Sequence, residues 1–554
     1  MSIIQKNKEK TIQKLLELKL TSKKDLMAAK RRLAKKYKVE ILRNTDILAQ
    51  YRKLIKIGKI EKNLELEKLL RKRAIRTMSG IAPIAVLTKP YPCPGKCAYC
   101  PTEKNVPKSY LSNEPAVMRA IRCGYDPYKQ VQLRLRALEA NGHQPTKIEL
   151  IVIGGTWSVL PDKYKFWYIK ECFRGANEYG KKNYKLQIPN SKQISNSKSK
   201  ISKLKQELLR EQRKNEKAKY RIIGMTLETR PDYINEQELS DMRELGCTRV
   251  EVGVQAINDK ILKLNKRGHD VEKIVKATSL LRKFGFKITY HIMPGLPGST
   301  AAKDFKMFKQ LFIDARFQPD QLKFYPTVVT RGSLLYRWWK QGKYKPYSQK
   351  ILENLITKCK EIVPTYVRII RLIRDIPGES IIAGNKITNL RQIMQDRGVQ
   401  CKCIRCREAR DKKFKIEGLK LRTVQYRASG GDEYFISYES KDSKTLFGFC
   451  RLRLPSDSID EKNSLSFRSR MTNVLKKVAF VRELHVYGEL ASNGSDKKIQ
   501  HIGLGKRLMA EAEDIAQKNG FKKMVVISGV GVRGYYKKLG YKLQESYMVK
   551  KLSS

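Results

Sequence analysis

Three cysteines in Tyr91-Pro-Cys-Pro-Gly-Lys-Cys-Ala-Tyr-Cys100 stand at C-x3-C-x2-C spacing, on a segment loosened by Pro92, Pro94 and Gly95. The thiolates of Cys93, Cys97 and Cys100 can hold three irons of a 4Fe-4S cube and leave the fourth iron open. An open iron can chelate the amino and carboxylate groups of S-adenosylmethionine (SAM), and an electron from the cluster then splits SAM to a 5′-deoxyadenosyl radical. A structural zinc site is the competing reading. It would want a fourth ligand nearby, and the segment offers none.

The downstream segments match what a radical SAM centre requires. Gly154-Gly155-Thr156 closes an apolar strand, where backbone without side chains can approach the SAM amino group closely. Glu228 and Arg230, in Met225-Thr-Leu-Glu-Thr-Arg-Pro, end another strand and could bind ribose hydroxyls and the carboxylate. Gln255 ends a third, and His291-Ile-Met-Pro-Gly-Leu-Pro-Gly298 offers a tight turn for the adenine. Each alone is weak, since Gly-Gly after a strand is usually just a turn. Four in order behind the cysteine loop are strong.

A second constellation lies near the C-terminus. Gln500-His-Ile-Gly-Leu-Gly-Lys-Arg-Leu508 opens a helix with Gly503 and Gly505, so exposed backbone N–H groups and the helix dipole meet a pyrophosphate. It sits between the strands Leu484-His-Val-Tyr487 and Met524-Val-Val-Ile527, with Arg533-Gly-Tyr-Tyr-Lys-Lys-Leu-Gly-Tyr541 beyond. This arrangement resembles the GNAT acetyltransferase fold, whose late tyrosine can protonate the departing CoA thiolate or position the thioester. Of Tyr535 and Tyr536, one is expected to pack and Tyr536 to meet the ligand. Between the two constellations, Cys401-Lys-Cys-Ile-Arg-Cys406 reads as a zinc site, because thiolates two and three residues apart can wrap one tetrahedral ion. Its fourth ligand is not evident, which leaves reduced buried cysteines as the other reading.

These groups need elements to hold them. A chain of 554 residues exceeds one hydrophobic core, and two or three domains are expected. Residues 1–80 carry 24 Lys+Arg against 8 Asp+Glu with apolar residues at helical spacing, a basic helical module whose clustered charge favours RNA contact over a set of ordinary solvated helix faces. Residues 81–375 alternate apolar runs (148–153, 221–226, 249–254, 287–292, 321–325) with helical stretches. That rhythm predicts an α/β fold: a partial, TIM-like β/α barrel with ligands at the carboxyl ends of its strands. Residues 181–219, rich in Lys, Asn, Ser and Gln and net +10, read as a mobile insertion. Residues 376–414 are expected to form a linker, and 415–554 a GNAT α/β domain.

The whole chain carries 116 Lys+Arg against 54 Asp+Glu, a formal charge of +62 that calls for an anionic partner. A solubility adaptation of a lysine-rich proteome is the plainer alternative. No run of about 18 apolar residues appears, and the N-terminus lacks the core of a signal peptide, so no membrane partner and a cytoplasmic location are expected. In that compartment the eleven cysteines read as metal ligands or buried thiols, with Cys123, Cys172, Cys247, Cys359 and Cys450 as small core residues.

A radical SAM domain followed by a GNAT domain resembles the catalytic subunit of Elongator, the tRNA carboxymethyluridine synthase family. The likeness includes Glu114-Pro-Ala-Val-Met-Arg-Ala-Ile-Arg122, Tyr125-Asp-Pro-Tyr128, Leu322-Lys-Phe-Tyr-Pro-Thr327, Arg374-Asp-Ile-Pro377, Arg482-Glu-Leu-His-Val-Tyr-Gly488 and Val526-Ile-Ser-Gly-Val-Gly531. It implies a cluster on Cys93, Cys97 and Cys100. It also implies acetyl-CoA contacts at Lys147, at Glu483, Leu484, His485 and Val486, at Leu504, Gly505 and Lys506, and at Tyr536. Lys147, Glu483, His485, Tyr535 and Tyr536 form the implied catalytic set. Lys147 lies in the radical half, so acetyl-CoA would bridge the halves; composition alone makes it an ordinary surface lysine. The implied product is 5-carboxymethyluridine at the wobble position of a tRNA anticodon stem-loop, formed with an external electron donor. The three-residue gap between Cys93 and Cys97 is shorter than in eukaryotic relatives, which suggests an archaeal or bacterial form working without other Elongator subunits. Two rivals exist. A lysine acetyltransferase with a structural cluster has no use for the SAM motifs or the charge, and a non-catalytic RNA-binding module needs neither cofactor site.

Overall fold

The computed structural model describes residues 3–72, 80–181, 198–409, 418–456, 470–488 and 503–552. Its first part is four helices, α1 (Ile3–Leu16), α2 (Lys23–Lys36), α3 (Asn44–Lys56) and α4 (Leu64–Leu70). A reciprocal capping box opens α2: Asp25 N–H donates to Ser22 Oγ (3.1 Å) and Ser22 N–H donates to Asp25 Oδ2 (2.9 Å). The helical spacing seen in the sequence puts Ile12, Leu15, Leu26, Ile47 and Tyr51 into one small core. The lysines and arginines stay outside it, apart from Lys30, whose amine donates to Asn44 Oδ1 at 2.7 Å.

The central sheet is built from β1 (Ala82–Leu87), β2 (Lys147–Ile153), β3 (Arg221–Thr229), β4 (Arg249–Gln255), β5 (Lys287–Ile292) and β6 (Gln321–Phe324). Two short strands, β7 (Val329–Thr330) and β9 (Ile381–Ala383), pair with each other, and β8 (Arg368–Arg371) completes the main sheet in the order β1-β2-β3-β4-β5-β6-β8. Every neighbour in it is parallel. Such a sheet needs helical crossovers and collects its ligand-facing loops at the carboxyl ends of the strands. Two readings of the sequence shift here. Strand β3 runs on to Thr229 and takes Glu228 into the sheet, and β8 is a four-residue Arg-Ile-Ile-Arg strand whose pattern is too short to signal itself.

The expectation of a mobile insertion at 181–219 is corrected over its second half. Residues 198–217 form a 20-residue helix packed on the helix Asp162–Glu178, with Leu208 buried; residues 182–197 lie outside the described residues. Asn215 explains the docking. It is fully buried, donates to Asn177 Oδ1 (2.7 Å) and to Tyr220 C=O (3.1 Å), and accepts from Ile222 N–H (2.7 Å). Polar composition hid an amphipathic face whose buried polar groups are all satisfied by neighbours.

The C-terminal sheet contains β10 (Leu419–Arg427), β11 (Gly431–Ser440), β12 (Leu446–Pro455), β13 (Ala479–Val486), β14 (Lys523–Val526), β15 (Lys542–Gln544) and β16 (Tyr547–Lys551), in the order β10-β11-β12-β13-β14-β16-β15. Strands β13 and β14 are parallel and part company early: their last paired residues are Val481 and Val526. Strand β13 continues to Val486 paired with β12 only, which leaves its other edge open from Glu483 onward at a splayed seam. The stretch expected as a linker is built into this junction. Cys403 and Ile404 are buried, Ile404 N–H donates to Val367 C=O (2.9 Å) and Ala409 N–H to Leu446 C=O (2.8 Å).

The C-terminal domain packs against the amino ends of the main sheet's strands, over a buried ionic lattice. Arg482 takes both oxygens of Asp320 (2.8 and 2.5 Å) and, through Nε, Glu433 (3.0 Å); Arg282 reaches Glu433 at 2.7 Å and Arg451 reaches Glu483 at 3.0 Å. Burial alone would raise the Asp320 carboxyl, but the Arg482, Arg451 and Arg282 guanidinium groups hold it far below its usual range. Because each charge is paired in a dry interface, removing one partner is far more costly than at a surface.

Candidate functional site

A single cavity of about 1440 Å³ runs between the sheets and is lined from both of them. At the radical end its wall carries Cys93, Cys97, Cys100, Gly155, Thr156, Glu228, Arg230 and Gln255. On the opposite side it carries Lys147, Glu483 to Val486, Gly505, Lys506, Tyr535 and Tyr536. Nearly all of the residues singled out in the sequence are thus brought to one space. The exceptions are Gly154, Leu504 and the separate trio Cys401, Cys403 and Cys406. Gly154 has φ +134°, and a Cβ there would lie 2.1 Å from Thr88 Oγ1, so it serves the close packing of two strand ends. Leu504 is buried in the core of the C-terminal domain.

The cysteine loop is held by cations. Arg267 Nη1 lies 3.2 Å from Cys97 Sγ and Arg230 Nη1 lies 3.8 Å from it, while Thr156 Oγ1 sits 3.8 Å from Cys93 Sγ. Contact with Cys100, supported by the Arg267 and Arg230 charges, brings the Cys97 thiol down to about 4, so it is poised as a thiolate ligand. Sequence reasoning missed Arg267. The signal available was a lone arginine in Lys266-Arg-Gly-His-Asp270, with no spacing to mark it. Arg230 is engaged otherwise than the sequence suggests: it forms a fork with Asp232 (3.0 and 2.8 Å) and points its remaining nitrogen at the cysteines. His291 stands at the end of β5 rather than in the turn that follows. It is bonded to Glu251 (2.9 Å), with Glu228 at 3.6 Å.

Gln255 has φ +69°, a rare conformation for a side-chain-bearing residue, at a register break between β4 and β5. Its Oε1 is buried with no hydrogen-bond partner among the described residues. An orphaned acceptor on the cavity wall, beside three cysteines and a glycine turn, fits a ligand that brings an N–H or O–H, as SAM does.

The second half of the cavity has the same character. Its pyrophosphate candidate is the start of the helix Leu504–Lys518, with Gly503 in the left-handed region at φ +82°; residues 500–502 lie outside the described residues. The Tyr535 hydroxyl lies beside Gly505, 2.6 Å from where a Cβ would stand. Tyr536 is buried edge-on against Tyr535 and Tyr541, and burial raises its hydroxyl well above the usual range. Glu483 accepts from Arg451 (3.0 Å) and from Lys287 of β5 (3.3 Å). Against the cost of burial, these two cations keep its carboxyl down at about 2. His485 is stacked parallel to Phe449 at 5.9 Å, and burial lowers it to about 4, so it is neutral near pH 7. Its Nε2 also lacks a partner among the described residues. Lys147 begins β2 inside the cavity wall, where burial and then the Arg221 charge lower its amine.

Among the described residues, Cys401, Cys403 and Cys406 are the one His/Cys/Asp/Glu group of three or more whose donor atoms all lie within 4.8 Å of one another. Zn–S bonds of about 2.3 Å need such proximity. Cys93, Cys97 and Cys100 do not all come within that distance of one another, although Cys97 and Cys100 are in contact.

Comparison with known proteins agrees with both halves. The Radical SAM superfamily model matches residues 91–311, the Radical SAM C-terminal domain model 319–398, and the acetyltransferase (GNAT) family model 411–541. Fold and site therefore define a radical SAM protein fused to a GNAT domain. The tRNA uridine(34) acetyltransferase of Dehalococcoides mccartyi is 43% identical over 490 residues, 87% of this chain and all of that one. Elongator complex protein 3 of Homo sapiens is 37% identical over 555 residues, 95% of this chain and 93% of that one. The solved structure of archaeal Methanocaldococcus infernus Elp3 with an N-terminal deletion superposes with a TM-score of 0.69 at 38% identity, covering 85% of this chain and 99% of that one. The chain belongs to this family of tRNA uridine(34) acetyltransferases and Elongator complex protein 3.

Proposed function

We propose that this chain converts the wobble uridine of tRNA to 5-carboxymethyluridine, drawing the two added carbons from acetyl-CoA. The observation that carries the reading is the single cavity whose two ends are a three-cysteine loop and a GNAT acetyl-CoA slot. SAM bound at a 4Fe-4S cluster supplies, on reductive cleavage, a carbon radical able to take hydrogen from the methyl group of an acetyl thioester. Uracil C5 is too weak a nucleophile for ordinary acyl transfer, which is why an acetyltransferase domain would need such a partner.

The residues divide the work. Cys93, Cys97 and Cys100 hold the cluster, with Arg267 and Arg230 stabilising thiolate at Cys97. Gln255, Glu228, Gly155 and Thr156 bind SAM. Gly505, Lys506 and the β13 backbone from Glu483 to Val486 hold the CoA arm, and Lys147 reaches it from the radical side. Ionised Glu483, clamped by Lys287 and Arg451, fixes the seam and does not exchange protons near neutral pH. Neutral His485 and the Tyr535 and Tyr536 hydroxyls are left to orient the thioester and steady its oxygen through hydrogen bonds. Residues 1–80 bind tRNA, 81–375 are the radical domain, 376–414 join it to the GNAT domain at 415–554, and Cys401, Cys403 and Cys406 hold one zinc. Elemental analysis giving iron alone would reject that last assignment. The electron comes from an external donor, and the chain works in the cytoplasm without other Elongator subunits.

The test is mass spectrometry of nucleosides from tRNA incubated with reconstituted protein, a reductant, SAM and acetyl-CoA. Carboxymethyluridine that requires both SAM and acetyl-CoA is expected. Product formed without SAM would refute the radical reading.

A further inference from the structure

Residues 331–350 leave the carboxyl-end rim of the main sheet and contain six cations, five aromatic rings and no acidic residue. All six cations, Arg331, Arg337, Lys340, Lys343, Lys345 and Lys350, are exposed, and none forms an ion pair with another described residue. Here the nearest carboxylate downstream, Glu353, is taken by Arg397 at 2.6 Å.

The rings are arranged among these charges. Tyr336 and Trp339 are stacked at 6.0 Å with planes 24° apart, the Lys340 amine lies 5.2 Å from the Tyr336 centroid, and Tyr336, Trp338 and Trp339 are half-buried. The segment is fastened directly to the cysteine loop. Leu335 N–H donates to Ala98 C=O (2.7 Å), Thr102 N–H donates to Gly332 C=O (3.2 Å), and at Gly332 a Cβ would lie 2.7 Å from Thr102 C=O. Its position is therefore fixed relative to Cys97 and Cys100. A rigid shelf of half-exposed rings edged by unpaired cations has the chemistry of a single-stranded nucleic-acid platform, in which bases stack on the rings and phosphates meet the charges.

We propose that residues 331–350 form a docking surface for an unpaired RNA loop. Tyr336 and Trp339 act as the stacking shelf, and Arg337 and Lys340 as phosphate contacts. The inference rests on the tRNA reading above and adds to it: the basic N-terminal helices grip phosphates at large, while this face takes splayed loop bases and holds them beside the cysteine loop.

The experiment uses the full cluster-loaded chain and a short anticodon stem-loop RNA with 2-aminopurine in the loop, beside a fully paired RNA of the same length. Arg337→Ala/Lys340→Ala should weaken stem-loop binding roughly tenfold and lower the slope of log K against log salt by about 1.5, as loss of two phosphate contacts requires. Trp339→Leu should abolish quenching of the loop fluorophore, and Trp339→Phe should keep it. Wild-type affinity, slope and quenching in these variants would overturn the proposal and leave the face for an acidic protein partner. An equal loss on the paired RNA would overturn the claim that loops are what it reads. A chain that lost loop binding as expected, yet whose wild type made no carboxymethyluridine, would sustain this surface and contradict the assigned reaction.

Discussion

Two guanidinium groups converge on Cys97, and the cysteine in turn contacts Cys100. Because this loop lies across the cavity from the GNAT seam, its chemistry can be removed alone. Cys97→Ser is expected to abolish the cluster's visible absorbance and SAM cleavage while leaving acetyl-CoA affinity within about twofold. Visible spectroscopy and calorimetry check the pair of outcomes, and carboxymethyluridine formed by this variant would contradict the assignment. His485 supports a second prediction, in pH. Its folded pKa of about 4 lies below the ordinary 6.5, so the unfolded chain takes up a proton first. Its neutral form therefore adds stability that is complete above about pH 6.5 and is lost as pH falls toward 4, a range worth about 3 kcal/mol at most. His485→Gln should flatten the fall in melting temperature between pH 6.5 and 4. An unchanged acid limb would show that His485 titrates normally.

At the scale of elements, the helix Arg533–Lys537 carries both tyrosines and is only five residues long, too short to hold itself. It is fixed from the other domain. Glu216, near the end of the helix Lys198–Lys217, accepts from Arg533 (3.2 Å) and Lys537 (2.9 Å). Just upstream, Gly529 lies so close to β3 that a Cβ would come within 1.9 Å of Ile223 C=O. Arg533 is nearly fully buried, so Glu216→Gln leaves its charge without a counterion. Amide exchange over residues 533–539 should speed roughly tenfold, with the helix Leu504–Lys518 unchanged; no local change would mean the pair is ornamental. This brace was not legible in the sequence. Glu216 sits in a stretch whose Lys, Ser and Asn content reads as loop, and its partners are more than three hundred residues away. The cysteine loop, β4, β5 and the helix Leu504–Lys518 were legible, because each is specified locally by spacing, β-branched runs or a glycine start. The glycines of Val526-Ile-Ser-Gly-Val-Gly531 could be recognised as a motif, but their purpose, close backbone approach between domains, appears only with both domains in place.

For the whole molecule, charge and the shared cavity set the behaviour. The α1–α4 module has its own core, so a chain lacking residues 1–72 should keep its cofactor domains folded and bind tRNA more weakly, with a shallower dependence on salt. Equal affinity and slope in filter binding would place the main RNA contacts elsewhere. The ionic lattice around Asp320 and Glu433 joins the two domains, and across that junction Lys287 of one meets Glu483 of the other, with Lys147 on the wall of the same cavity. If both ends of the cavity act on one molecule, isotope should pass from acetyl-CoA to the SAM-derived product. Acetyl-CoA carrying a trideuterated methyl group, incubated with cluster-loaded protein, SAM, reductant and tRNA, should yield 5′-deoxyadenosine one mass unit heavier. Unlabelled 5′-deoxyadenosine, formed alongside modified uridine that keeps all three deuteriums, would contradict it.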